Sequence, residues 1–138
     1  MKEHYTAWII AFDKENVVLA KWWHWNWWFP KWHIEIWENK IDTAIREFTE
    51  ETWIPAKFLE IDSNKELKEN YIFEKNWEKR KKYLSFFIAN LKNWYEKHIQ
   101  KQEWEILEIK LVKINEVKNF LSFEESKNTF EKVINIIS

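Results

Sequence analysis

The feature that most constrains this chain is a residue it lacks. Among 138 residues there is no glycine, and tryptophan occurs twelve times. Glycine enters left-handed backbone conformations without steric cost, so tight turns and helix ends normally use it. Average usage of ~7% would place roughly ten glycines in a chain of this length. The tryptophan excess is close to that deficit. Either the composition is biased and every turn is built without glycine, or most of the tryptophans stand where glycine belongs.

The remaining composition excludes several classes. Lys and Arg number 22 against 23 Asp and Glu, for a net charge of −1. That near-balance gives no electrostatic footprint for nucleic acid or an anionic membrane. Cysteine is absent, which removes disulfides, thiolate metal sites and a cysteine nucleophile. No apolar run reaches the ~20 residues of a membrane span, since Asp13, Lys14 and Glu15 break the first one. The N-terminus shows no secretory pattern, and a cytoplasmic location is expected. No repeat or linker divides residues 1–138, which read as one domain.

Residues 7–12 and 16–20 are short apolar runs around Asp13-Lys14-Glu15, the pattern of two strands and a hairpin. Residues 22–32 read as irregular, and 33–36 alternate as a strand. Over 39–52, Ile41, Ala44, Ile45 and Phe48 recur at helical spacing. Further strands are expected at 56–61, 70–75, 83–91 and 105–114. Ser122 and Glu125 have the spacing of a capping box opening a last helix that carries Phe123, Phe130, Val133, Ile134 and Ile137. Strands around one strong helix, closed by another, indicate an α/β domain.

On the 39–52 helix, Glu47, Glu50 and Glu51 form one stripe at the rim of the apolar face. Three clustered carboxylates repel one another unless a cation sits among them, and hard divalent ions prefer such oxygen ligands. Spacing alone favours the plainer reading of a solvated acidic face, since Glu-rich helix surfaces are common.

The flanking residues decide the matter. Residues 32–54 resemble the Nudix box, whose pattern is Gly, five residues, Glu, seven residues, then Arg-Glu-apolar-any-Glu-Glu-any-Gly-apolar. Glu38, Arg46, Glu47, Phe48, Glu50, Glu51 and Ile54 fall in register; the two glycine positions hold Trp32 and Trp53. Trp37 stands at another place where such boxes often carry glycine. Trp53 directly follows the helix, where a left-handed cap favours glycine. Glycine codons written as Trp would produce this pattern, either by deliberate replacement or because a gene in which UGA encodes glycine was translated with a table that reads it as Trp. Trp27 is the best candidate for a genuine tryptophan, because Asn26-Trp27-Trp28-Phe29-Pro30-Lys31-Trp32 resembles the Trp-x-x-Pro-Lys-Gly segment of the diadenosine tetraphosphate and diphosphoinositol polyphosphate hydrolases.

The resemblance implies a Nudix-type α/β/α sandwich with a mixed β-sheet, a catalytic loop–helix–loop and a C-terminal helix. It implies attack of water on a pyrophosphate linkage, dependent on Mg²⁺ or Mn²⁺. Glu47, Glu50 and Glu51 would be metal ligands, with one of them or Glu105 helping to deprotonate water. Arg46 and Glu38 would pair structurally. Lys31, Lys82 and Tyr83 are candidate substrate contacts, although lysines in a charged run are also ordinary solvated side chains. Phe86 aligns where the diadenosine enzymes often place a strand tyrosine. None of the four histidines is assigned a catalytic role.

The expected partner is a small-molecule nucleotide, most like diadenosine tetraphosphate, with no nucleic acid or membrane, in a monomer or weak homodimer. Another Nudix substrate is the alternative: an inositol pyrophosphate, a modified nucleoside triphosphate or capped RNA. If the tryptophans are taken literally, those between residues 22 and 32 could instead form the aromatic surface of a non-catalytic binding module.

Overall fold

The computed structural model describes residues 1–22, 25–29, 31–34, 39–99 and 106–137, with the backbone alone at 31–33, 63 and 107. Strand β1 (Lys2–Asp13) is central. Trp8, Ile10 and Phe12 point to one side of the sheet, Ala7, Ile9 and Ala11 to the other, and all are buried. Burial on both faces is why the sequence reads there as a continuous apolar run.

One edge of β1 is covered by β6 (Glu78–Leu91), which runs parallel to it with Trp8 opposite Phe86 and Ile10 opposite Ile88. Strand β5 (Leu59–Lys75) continues the sheet antiparallel to β6. The other edge of β1 is shared. Strand β4 (Lys31–Ile34) pairs with residues 5–8, and β2 (Asn16–Trp22) pairs at Phe12 and Asp13. From that hairpin β2 departs to pair with β3 (Trp27–Trp28) and β7 (Ile106–Lys113).

Helix α1 (Lys40–Thr52) packs Ala44 and Phe48 on the Ala7–Ile9–Ala11 face. On the opposite face, Val117 of the short α2 (Val117–Phe120) and Phe130 and Val133 of α3 (Glu124–Ile137) cover Trp8, Ile10, Phe12 and Phe86. The result is the mixed-sheet α/β arrangement with helices on both sides that the sequence implies. No described helix is long and apolar enough to cross a membrane.

Several boundaries differ from expectation. Of the separate strands expected at 56–61 and 70–75, Ala56–Phe58 form a short 3₁₀ turn, and the rest belong to one long β5, interrupted by a register shift between Ile61 and Glu66. The intervening Asp-Ser-Asn-Lys-Glu is too polar to show strand periodicity, and cross-strand pairing with β6 overrides it. Pairing likewise starts β6 at Glu78 rather than 83. Within the region read as irregular, Trp27–Trp28 form a short strand; the strand expected at 33–36 starts earlier, at Lys31, and its residues 35–36 lie outside the described residues. Helix α3 starts at Glu124, and the Ser122 hydroxyl accepts the Trp27 backbone N–H at 3.0 Å instead of closing a capping box with Glu125.

Phe48→Ala should remove roughly 3–5 kcal/mol of unfolding free energy, the usual cost of deleting a buried phenyl ring. Urea denaturation followed by circular dichroism measures it, and a loss below ~1 kcal/mol would mean that α1 is not seated on β1 as described.

Candidate active site

Helix α1 is held at both ends by local chemistry. The Asn39 side chain accepts the Asp42 backbone N–H at 3.1 Å, capping the first turn. At the other end the Thr52 hydroxyl donates to the Phe48 carbonyl at 2.8 Å and accepts the Ile54 N–H at 3.2 Å. The chain then turns through Trp53 at φ 66°, ψ 7°, whose N–H reaches the Thr49 carbonyl at 2.7 Å. This is the left-handed helix end expected from the sequence.

The expected carboxylate stripe is divided. Glu47 and Glu51 follow Thr43 at four-residue steps, beside Ala44 and Phe48, and both are buried. Glu50 faces outward. One Arg46 guanidinium nitrogen spans the pair, 2.7 Å from Glu47 Oε1 and 3.2 Å from Glu50 Oε1. Loss of hydration pushes the Glu47 carboxyl up to about 7; a hydrogen bond and charge repulsion from Glu50 add to this, and Arg46 opposes it. Arg46 therefore works inside the cluster as its positive charge. Its expected partner Glu38, and Glu105, lie outside the described residues.

Carboxylate oxygens of this kind suit a hard divalent cation. Among the described residues no three His, Asp or Glu groups converge into a complete metal cluster. An ion bound here would draw the rest of its shell from water and substrate oxygens, as Mg²⁺ sites commonly do.

A cavity of about 650 Å³ opens on the other face of the sheet, against α3. Trp8, Leu84 and Phe86 line it from the sheet, and Trp28, Tyr71 and Phe123 add further aromatic walls. The rings form a ladder, with centroids of 5.2 Å for Phe86–Trp8, 4.9 Å for Trp8–Trp28 and 5.0 Å for Trp28–Phe123. Lys82 and Lys132 also line it, and burial lowers the Lys82 ammonium pKa. Glu69 accepts from the Thr129 hydroxyl at 2.9 Å and from Lys132 at 3.1 Å, tying α3 to β5.

The neighbours Lys82 and Tyr83 are thus separated by strand alternation. Lys82 lines the cavity, whereas Tyr83 stacks on Tyr5 (5.0 Å, 10°) on the α1 side and donates to Glu3 at 3.5 Å. The basic run disperses: Arg80 pairs with Glu78, and Lys81 lies over the Tyr83 ring. Lys31 aligns with Trp8 through its backbone, and its side chain lies outside the described residues. Sequence reasoning missed Tyr71, Phe123 and Lys132. Only the β5–β6 register, Tyr71 opposite Lys82, and the docking of α3 bring them together.

Fold and site together define a class: a metal-suited carboxylate helix on one side of a mixed sheet and an aromatic, lysine-bearing cavity on the other. The NUDIX domain model matches residues 2–133, and the chain belongs to that family. It is a pyrophosphohydrolase of the Nudix class, whose enzymes generally use divalent metals.

Among solved structures, a C. elegans Ap4A hydrolase in a binary complex superposes with a TM-score of 0.78 at 20% identity, covering 97% of each chain. The E. coli dihydroneopterin triphosphate pyrophosphohydrolase superposes at 0.69 with 17% identity over 95% of each. A Francisella tularensis bifunctional NMN adenylyltransferase/ADP ribose pyrophosphatase, complexed with AMP and a Mn ion, reaches 0.69 at 13% identity, over 96% of this chain and 41% of that one. At such identities these likenesses establish the fold. A comparison with curated proteins found no match.

Glu47 makes stability pH-dependent in the chain stripped of divalent metal. Its folded pKa of about 7 lies above the ordinary glutamate value of 4.5, so the native state binds the extra proton between those values. Stability conferred by that proton is present at low pH and is lost as pH rises through about 7. In EDTA, the slope of unfolding free energy between about pH 5 and 7 should be less negative in Glu47→Gln than in the parent chain, by a total on the order of 1–3 kcal/mol. Identical slopes would show that Glu47 titrates normally.

Proposed function

We propose that residues 1–138 act as one Nudix domain that hydrolyses a pyrophosphate linkage in a dinucleoside polyphosphate such as diadenosine tetraphosphate, using Mg²⁺ or Mn²⁺. The reading rests on the buried Glu47, bridged through Arg46 to the exposed Glu50, and the buried Glu51 beside it, on the helix of a NUDIX-family chain. It takes Trp32, Trp37 and Trp53 as standing at glycine positions of the box.

A divalent ion on this helix offsets phosphate charge and lowers the pKa of bound water. Glu47, Glu50 and Glu51 supply the carboxylate oxygens. Arg46 holds Glu47 and Glu50 in one orientation, and Glu38 is its further structural partner. One of the three helix glutamates, or Glu105, takes the proton of the attacking water.

Substrate class is argued from the cavity and from the fold shared with the Ap4A hydrolase. Its volume lies in the ~300–1,000 Å³ range of small-molecule sites, and flat aromatic walls suit a nucleobase. Lys82 and Lys132 suit phosphate, and Lys31 is a third candidate. Within the cavity Tyr71 and Phe123 offer faces for a base, while the candidate substrate contact Tyr83 lies on the α1 side of the sheet.

The test is a panel of diadenosine tetraphosphate, inositol pyrophosphates, modified nucleoside triphosphates and capped RNA, with and without divalent metal. The expected result is metal-dependent cleavage with the highest kcat/KM on the dinucleoside polyphosphate. Glu51→Gln should lower kcat by at least ~10²-fold. Lys82→Ala should raise KM about tenfold, the equivalent of ~1.4 kcal/mol, with little change in kcat. Faster turnover of another panel member would replace the substrate, and no metal-dependent turnover of any would sink the enzymatic reading.

A further inference from the structure

Six described residues have positive φ: Lys14, Trp25, Trp53, Asn76, Trp77 and Trp94. Four are tryptophan. The left-handed region is routine for glycine and occasional for Asn or Asp, because a side chain there crowds the following carbonyl. A large aromatic residue is the wrong occupant, and finding it at four separate turns requires a common cause.

Each turn has its own glycine requirement. Trp53 stands just beyond the last turn of α1, the commonest place for glycine in a helix. Asn76 and Trp77, at φ 54° and 63°, form the two-residue link between β5 and β6. Two positive φ values in such a hairpin mark a type I′ turn, for which Asn-Gly is the preferred pair. Trp94, at φ 78°, follows Asn93 in the turn after β6. Trp25, at φ 69°, sits in a loop closed by hydrogen bonds from Trp25 N–H to Trp22 O at 2.8 Å and from Trp22 N–H to Asn26 O at 2.9 Å.

Exposure sorts the tryptophans in the same way. The four left-handed side chains are 71%, 56%, 98% and 77% exposed at positions 25, 53, 77 and 94. Trp8 and Trp22 are buried in strands, while Trp27 packs its ring edge-on against Phe120 at 5.6 Å. Where the backbone demands glycine, the indole has been left in solvent.

We propose that glycine stands at positions 25, 53, 77 and 94 of the protein as its own cell makes it, and that these four codons are UGA read as glycine. Trp27, with ordinary backbone and a packed ring, is tryptophan in both versions. The inference is independent of which substrate is cleaved, or whether any is. It carries the substitution beyond the box into three turns that no motif covers. It also removes strain from the end of the helix that bears Glu47 and Glu51.

Two measurements test it. Peptide mass sequencing of protein purified from its native source should show glycine at 25, 53, 77 and 94 and tryptophan at 27, with UGA at the four codons and UGG at the fifth. Tryptophan in any of the four native peptides, or UGG at any of those codons, would overturn the assignment. Separately, Trp77→Gly and Trp94→Gly in the recombinant chain should each raise Tm by a few degrees, whereas Trp27→Gly should lower it. A fall in Tm for both turn variants would overturn the backbone argument.

Discussion

Everything at the candidate active site depends on how closely α1 lies on β1. Ala7 and Ala11 on the strand and Ala44 on the helix leave room for Ile9 and Phe48 to interlock between the two layers. That close approach puts the next stripe of the helix, Thr43, Glu47 and Glu51, at the border of the core, where carboxylates lose much of their hydration. The stability gained by burying Phe48 is partly spent on holding Glu47 out of water. Arg46 reduces that cost without leaving the helix. A carboxyl so placed is strained toward its neutral form, the condition in which a divalent cation or a transferable proton is most welcome.

The same two strands serve both faces. Alternation along β1 and β6 supplies small residues to seat α1 on one side, and Trp8, Leu84 and Phe86 to line the cavity on the other. The carboxylate helix and the aromatic cavity therefore lie on opposite surfaces of one sheet. Residues on either side of position 30 meet several elements: Trp28 reaches the cavity, β4 pairs with β1, and the Trp27 N–H is anchored on Ser122.

Glycine-less turns are the other physical theme. At Trp53 the left-handed conformation was legible beforehand, because the box and the end of the apolar periodicity both mark that residue. At Asn76-Trp77 it was not. The polar residues around it show no strand pattern until β5 and β6 are paired, and Asn-Trp has none of the hairpin signal that Asn-Gly carries.

What the sequence determined by itself is what local spacing can encode. Helix 40–52, the order of its glutamates, the apolar alternation of β1 and β2, the terminal helix and family membership all depend on residues within a few turns of one another. Tertiary structure alone decided which glutamates are buried, since that requires the layer beneath the helix. It also separated Lys82 from Tyr83 by strand alternation, merged 59–75 into one strand, and joined Tyr71, Lys82, Phe123 and Lys132 in one cavity. Those outcomes follow from cross-strand register and from α3 docking across the sheet. Such contacts link residues tens of positions apart, and no short-range pattern records them.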